Sequence, residues 1–216
     1  MMGTPSSFSS CSIDIFKDPA RVIVAGYSNS GKSVLCSKLI EIYHEKFDHI
    51  LYCGVDSHPL QKNDIINEKL TVSCEILNPF EYFHLGNILF VLDDCFSEAV
   101  QDKNVSDAFT KGRHKSISTM FITQNLFFSG KHSRTISLNC SHYILMRNRD
   151  MGQIEMIGRQ IYGKGRGGEF LNIYKKALSV NKFGYLLIDL SANVPEELQL
   201  RTNILGEVPY QIIYQW

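Results

Sequence analysis

Eight residues from Gly26 to Ser33, Gly-Tyr-Ser-Asn-Ser-Gly-Lys-Ser, place two glycines, a lysine and a hydroxyl at the spacing G-x-x-x-x-G-K-[ST]. Residues of these types at that spacing bind a polyphosphate. Gly26 and Gly31 let the backbone fold tightly. The main-chain N–H groups from Tyr27 through Ser28, Asn29, Ser30 and Lys32 to Val34 then form an anion nest at a helix N-terminus. Lys32 reaches the outer phosphates, and the Ser33 hydroxyl ligates Mg2+. Tyr27 and Asn29 are departures, since small residues are common at those positions.

A phosphate loop needs a second magnesium anchor at the end of a neighbouring strand. The run Ile88–Asp94, "ILFVLDD", supplies it. Asp93 is placed to hold Mg2+ through water. Asp94 stands where many such ATPases carry a glutamate that orients the attacking water, and aspartate has a shorter reach. A second apolar run, Ser118–Gln124, ends in a side-chain amide that can touch the terminal phosphate or the lytic water. No N-K-x-D segment for guanine is present, which favours ATP over GTP. Arg113 lies in the turn before that run. Two readings are open for it: a finger to a neighbouring subunit's phosphate, or a plain surface arginine.

These side chains need strands to carry them. Val22–Gly26, His49–Gly54, Leu70–Leu77, Asn87–Asp94, Ser118–Gln124, Ser141–Arg147 and Phe183–Ser191 read as strands, most of them apolar throughout, as parallel sheets require. Helical spacing predicts helices over Lys32 to about Phe47, Ser97 to about Lys111, 150–163, and Glu169–Ser179. Alternating strands and helices predict an α/β fold: a P-loop NTPase with a doubly wound, mainly parallel sheet and helices on both faces. An extra strand between the loop strand and the "LDD" strand, with a polar sensor beside it, is typical of ATP-driven motors. Residues 1–19 read as a disordered leader, 20–205 as the ATPase domain and 206–216 as a C-terminal tail, with the chain from 198 to 216 extended or irregular.

The 216 residues suit one sizeable domain. The longest apolar runs fall far short of the roughly 18–20 residues of a membrane span. The N-terminus has neither a basic start nor an apolar core, so secretion is not expected. The six cysteines lack paired metal spacing and read as reduced thiols. Net charge is zero but unevenly spread. Residues 1–110 hold 8 Lys+Arg and 15 Asp+Glu, net −7, and residues 111–166 hold 10 and 2, net +8. The basic segment is either a polyanion-binding face or the counterpart of the acidic half within the fold.

Beyond the loop, "GRHKSISTMFITQNLF", with "VLDDC" before it and "RNRDMGQIEMIGRQIY" after it, resembles the viral DNA-packaging ATPases of the FtsK/HerA superfamily. The segments "GYLLIDL" and "LRTNI" are also similar to the poxvirus-type packaging ATPase of Polinton/Maverick elements, adintoviruses and virophages. The resemblance covers about residues 20–205 and implies functional roles for Gln124 and Arg113. It implies an oligomeric ring that hydrolyses ATP with Mg2+ and drives double-stranded DNA into a capsid. Its partners would be DNA and a capsid or portal protein. Its location would be the virion or the host nucleus or cytoplasm. Lys131, Arg134, Lys164 and Arg166 are candidate DNA contacts, and the turn Gly163–Gly168 is either a pore loop or a plain helix connection. Two alternatives stand beside this: another DNA-dependent P-loop motor, helicase-like or mobilising, and an ATP-binding switch or scaffold with little hydrolysis.

Overall fold

The computed structural model describes residues 7–9, 14–54, 60, 63–127, 129–205 and 211–215. In chain order the elements are β1 (Ser7–Ser9), β2 (Arg21–Ala25), α1 (Lys32–Tyr43), β3 (His49–Cys53), α2 (Asp64–Asn67), β4 (Leu70–Ser73), β5 (Ile88–Asp93), α3 (Phe96–Ala99), α4 (Lys103–Lys111), β6 (Ile117–Thr123), α5 (Ser133–Leu138), β7 (His142–Leu145), α6 (Met151–Tyr162), α7 (Gly167–Ser179), β8 (Leu186–Asp189), β9 (Leu200–Thr202) and β10 (Gln211–Tyr214).

The strands form one sheet in the order β1-β10-β9-β8-β7-β2-β6-β5-β3-β4. The six from β7 to β4 are mutually parallel, and the others add antiparallel. β6 lies between β2 and β5, so the intervening strand is the one that leads into Gln124. This is the P-loop NTPase sheet that the alternating pattern predicts, extended by an antiparallel wing.

Strand side chains alternate between two buried faces. Val22, Val24, Leu89, Val91, Met120 and Ile122 pack with Leu35, Cys36, Leu39 and Ile40 of α1. Ile23, Ala25, Phe90, Leu92 and Phe121 pack on the other side with Phe109 of α4, Ile154 of α6 and Phe170 and Tyr174 of α7. Two cores therefore sandwich the sheet, and each fully buried Leu, Ile or Phe contributes roughly 1.5–3 kcal/mol.

Several expected boundaries change. The helix expected over Ser97–Lys111 is two helices, because Asp102 caps α4: its Oδ1 accepts from the N–H groups of Asn104 (2.6 Å) and Val105 (3.1 Å). α1 ends at Tyr43 and continues as a 3-10 turn to Lys46. β4 stops at Ser73, whose hydroxyl accepts from the Glu75 N–H at 3.0 Å and turns the chain. The segments assigned to a leader and a tail also contribute to the fold. Ile15 and Phe16 are buried, and Phe16 meets Tyr43 and Phe47 edge-on. β1 pairs with β10, and β10 with β9. Among the described residues, no helix is long and apolar enough to cross a membrane.

Candidate functional site

The loop 26–33 joins β2 to α1 at the C-terminal end of the parallel strands. Both neighbours of β2 hold its first turn. The Gly26 N–H donates to the Thr123 carbonyl (3.2 Å), and the Tyr27 N–H to the Arg147 carbonyl (3.0 Å). A Cβ at position 26 would lie 2.8 Å from Ser30 Oγ and 2.9 Å from Met146 Cβ, so the packing there requires glycine. Gly31 has φ 96°, a left-handed conformation that glycine adopts without strain. Asn29, at φ 64°, is of a type that tolerates this region.

Three observations fit the loop to a polyphosphate. No side chain caps α1, which leaves its first N–H groups open. Ser30 Oγ is buried without a hydrogen-bond partner. The Lys32 ammonium folds back on the loop, donating to the carbonyls of Gly26 (2.7 Å) and Tyr27 (3.1 Å). Burial lowers the Lys32 pKa, and the charges of Asp93 and Asp94 oppose that shift.

The acids arrive on β5. The half-buried Asp93 accepts a hydrogen bond from the phenol of Tyr52 on β3, which is almost completely buried. Burial pushes the Asp93 carboxyl up, the Tyr52 bond opposes, the Asp94 charge adds to the rise, and Lys32 opposes it. A divalent cation between Asp93 and Ser33 would compensate this concentration of negative charge. Asp94 is exposed and has φ 55°. Gln124 bridges the two halves of the site. Its Oε1 accepts from Ser28 Oγ at 3.2 Å, and its Nε2 donates to Asp94 Oδ1 at 3.4 Å. Loop, acids and amide thus meet at one end of the sheet.

Other candidates lie elsewhere. Arg113 is exposed in the turn before β6, at the opposite end of the parallel strands. The pKa of Arg21, at the start of β2, is lowered by burial and then by the charge of Arg113. β6 spans about 23 Å at roughly 3.3 Å per residue, so Arg113 does not reach the loop of its own chain. Lys131, Arg134 and Lys164 are exposed, and Arg166 pairs with Glu196. Lys115 sits over the Phe83 ring at 4.7 Å. The basic segment is therefore spread over both ends of the sheet.

Sequence reasoning missed two parts of this region. A cleft of about 280 Å³ adjoins Gly31 and Val34 and is lined by Lys38, Met146, Phe183 and Tyr185. A nucleoside next to the phosphate loop fits its apolar walls. The only signal was the turn "NKFG", because the strand it introduces runs antiparallel and its partner is remote in sequence. The second is Tyr52, which sits in an apolar strand and reads as ordinary core. Among the described residues, no group of three or more His, Cys, Asp or Glu is arranged to hold a metal ion. Cys36, Cys53 and Cys140 are buried free thiols, Cys95 is half-buried and Cys74 exposed. Cys11 falls outside the described residues.

Sheet order, loop and strand-end acids together define a P-loop NTPase fold of the type with an added strand between β2 and β5. Among solved structures, the chain is similar to the genome packaging NTPase B204 from Sulfolobus turreted icosahedral virus 2, solved with ATP-gammaS. The TM-score is 0.57 at 15% identity, over 82% of this chain and 95% of that chain. The DNA-packaging ATPase B204 from Sulfolobus turreted icosahedral virus gives 0.56 at 13%, over 82% and 95%. ATPases 2 and 3 of EssC from Geobacillus thermodenitrificans give 0.50 at 12%, over 68% of this chain and 34% of that chain. At these identities the likeness is one of fold. No protein-family model matches the chain, and no curated protein does.

Proposed function

We propose that the protein is an ATP-driven motor that moves double-stranded DNA into a viral capsid, of the poxvirus-like packaging type. The observation that carries this reading is the meeting of Lys32, Ser33, Asp93, Asp94 and Gln124 at one end of the sheet, in a fold similar to that of a viral genome packaging NTPase. ATP with Mg2+ supplies the phosphoanhydride and the Lewis acid. Ser33 and Asp93 would hold the metal, Asp93 through water. Lys32 leaves its two loop carbonyls and stabilises charge on the outer phosphates. Asp94 orients water and accepts its proton, and Gln124, released from Ser28, completes the water's contacts. Phe183 and Tyr185 enclose the base.

The motor acts as a ring in this reading. Arg113 serves a neighbouring chain, since it stands far from its own loop. A cleft of about 580 Å³ beside Asp94, lined by Glu75, Glu98 and Asp102, offers such a basic group complementary charge. DNA is held through its phosphates by Lys131, Arg134, Lys164 and Arg166, without base readout.

The test is steady-state ATPase activity with and without duplex DNA, read beside the mass in solution. Turnover should rise with DNA, binding should fall steeply with salt, and Lys32→Ala should abolish turnover without unfolding the chain. Equal turnover in folded Lys32→Ala refutes the ATPase assignment. DNA binding that survives high salt, or an absence of stimulation in the assembled protein, refutes the motor.

A further inference from the structure

Tyr27 is the residue of the phosphate loop that the general chemistry leaves unexplained, and the structure gives it a partner. The guanidinium of Arg149 lies over its ring, 5.2 Å from the centroid. We propose that Arg149 is a ligand of the terminal phosphate acting within its own chain, held beside the loop by the face of Tyr27. The proposal rests on the reading of the loop as a nucleoside-triphosphate site and adds a specificity-determining residue to it.

The backbone that carries Arg149 is fixed. Buried Tyr174 of α7 donates its hydroxyl to the Met146 carbonyl (2.8 Å) and accepts from the Asn148 N–H (2.9 Å). Asn148 Oδ1 then accepts from the Asp150 N–H (3.0 Å), and Asp150 caps α6 through the Gln153 N–H (3.2 Å). The Arg147 carbonyl between them accepts from Tyr27 itself. This pinned turn sets the Arg149 main chain beside the loop and leaves only the long exposed side chain free to move.

The direction of that movement follows from Gln124. Its contacts to Ser28 and Asp94 mark the loop end where water attack takes place, hence the end that faces the outermost phosphate. Tyr27 precedes Ser28, so Arg149 stands at the same end, whereas Gly31 and Val34 border the nucleoside cleft. Among the described residues Arg149 forms no ion pair within 4.0 Å, so its charge is not engaged by a carboxylate of the fold. An aromatic face holds a cation more weakly than a phosphate does, so a triphosphate draws the guanidinium from ring to anion. A diphosphate lacks the group to be gripped. Arg149 therefore distinguishes ATP from ADP, the distinction a motor needs for its cycle to have a direction.

The experiment is calorimetric binding of ATPγS and of ADP, each with Mg2+, to the full chain and to Arg149→Ala, Arg149→Lys and Tyr27→Phe. Arg149→Ala should weaken ATPγS by about tenfold or more and leave ADP within about twofold. Arg149→Lys should recover part of the loss. Tyr27→Phe, which keeps the aromatic face, should resemble the parent. Equal weakening of both nucleotides means that Arg149 only braces the loop, and this overturns the proposal, as does an unchanged ATPγS affinity. A loss that disappears on dilution to monomer places the arginine's action between chains and overturns its assignment within one. If the parent chain binds both nucleotides and the variants match it, this inference alone falls. If the parent binds neither, the nucleotide reading falls and the inference with it.

Discussion

Asp189→Asn should destabilise the chain at neutral pH, and its cost should shrink in acid. Asp189 ends β8 and is buried against His142, the first residue of β7. Its Oδ1 lies 3.3 Å from His142 Nε2 and accepts from the Ser191 N–H at 3.0 Å. His142 Nδ1 in turn meets Ser141 Oγ at 2.9 Å. Burial alone would raise the Asp189 pKa, but the bond and charge of His142 and the bonds of Ser191 outweigh it and hold the group at about 2, below its ordinary 3.8. A depressed folded pKa stabilises the native state above the unfolded value and ceases to do so as pH falls through the folded one. At roughly 1.4 kcal/mol per pH unit, the shift is worth roughly 2 kcal/mol at pH 7, and about half of that remains at pH 3. Urea unfolding of the parent and of Asp189→Asn at both pH values isolates this group from other acids. The gap in stability between them should be roughly 2 kcal/mol at pH 7 and about half as large at pH 3. A gap that stays constant, or widens in acid, refutes the reasoning.

Asp93→Asn should weaken Mg2+-dependent nucleotide binding about tenfold or more, whereas Asp94→Asn should keep binding and lower turnover by roughly a hundredfold; equal loss of nucleotide in both variants would show that the two acids do not divide the work. Gly31→Ala should cost about 1–2 kcal/mol from its left-handed backbone, and more because the new Cβ falls 2.8 Å from the Phe183 ring; thermal melting and nucleotide titration should both register the change.

What could be read directly from the residues was whatever depends on neighbours in sequence. The loop, its strand and its helix are contiguous. Asp93 and Asp94 announce themselves because acids abruptly end an apolar run. Asp102 is equally legible as a helix cap, yet the helix expected over Ser97 to about Lys111 runs through it. Strands β9 and β10 were not legible. Each is short, and their stability comes from partners far away in the chain, such as Ile213 opposite Arg201. The short helix α5 buries a single residue, Ile136, and has too few turns to show a period. Buried Tyr52 has the pattern of core, and nothing in its surroundings in sequence reveals that its hydroxyl meets Asp93. The distance between Arg113 and the loop likewise depends on strand order.

The left-handed backbone at Asp94 bears on what changes this protein can accumulate. Aspartate and asparagine enter that region more readily than other residues with side chains, because their short polar groups bond locally. Glutamate has no such advantage. A chain that exchanged Asp94 for Glu would lengthen the acid but pay in backbone energy, and would have to rebuild the turn after β5 to recover it. Glycine would relieve the strain and discard the carboxylate. Exchange of this acid for the longer one is thus expected to lower stability unless the turn is rebuilt with it. The conformation of the turn and the identity of the acid are therefore coupled.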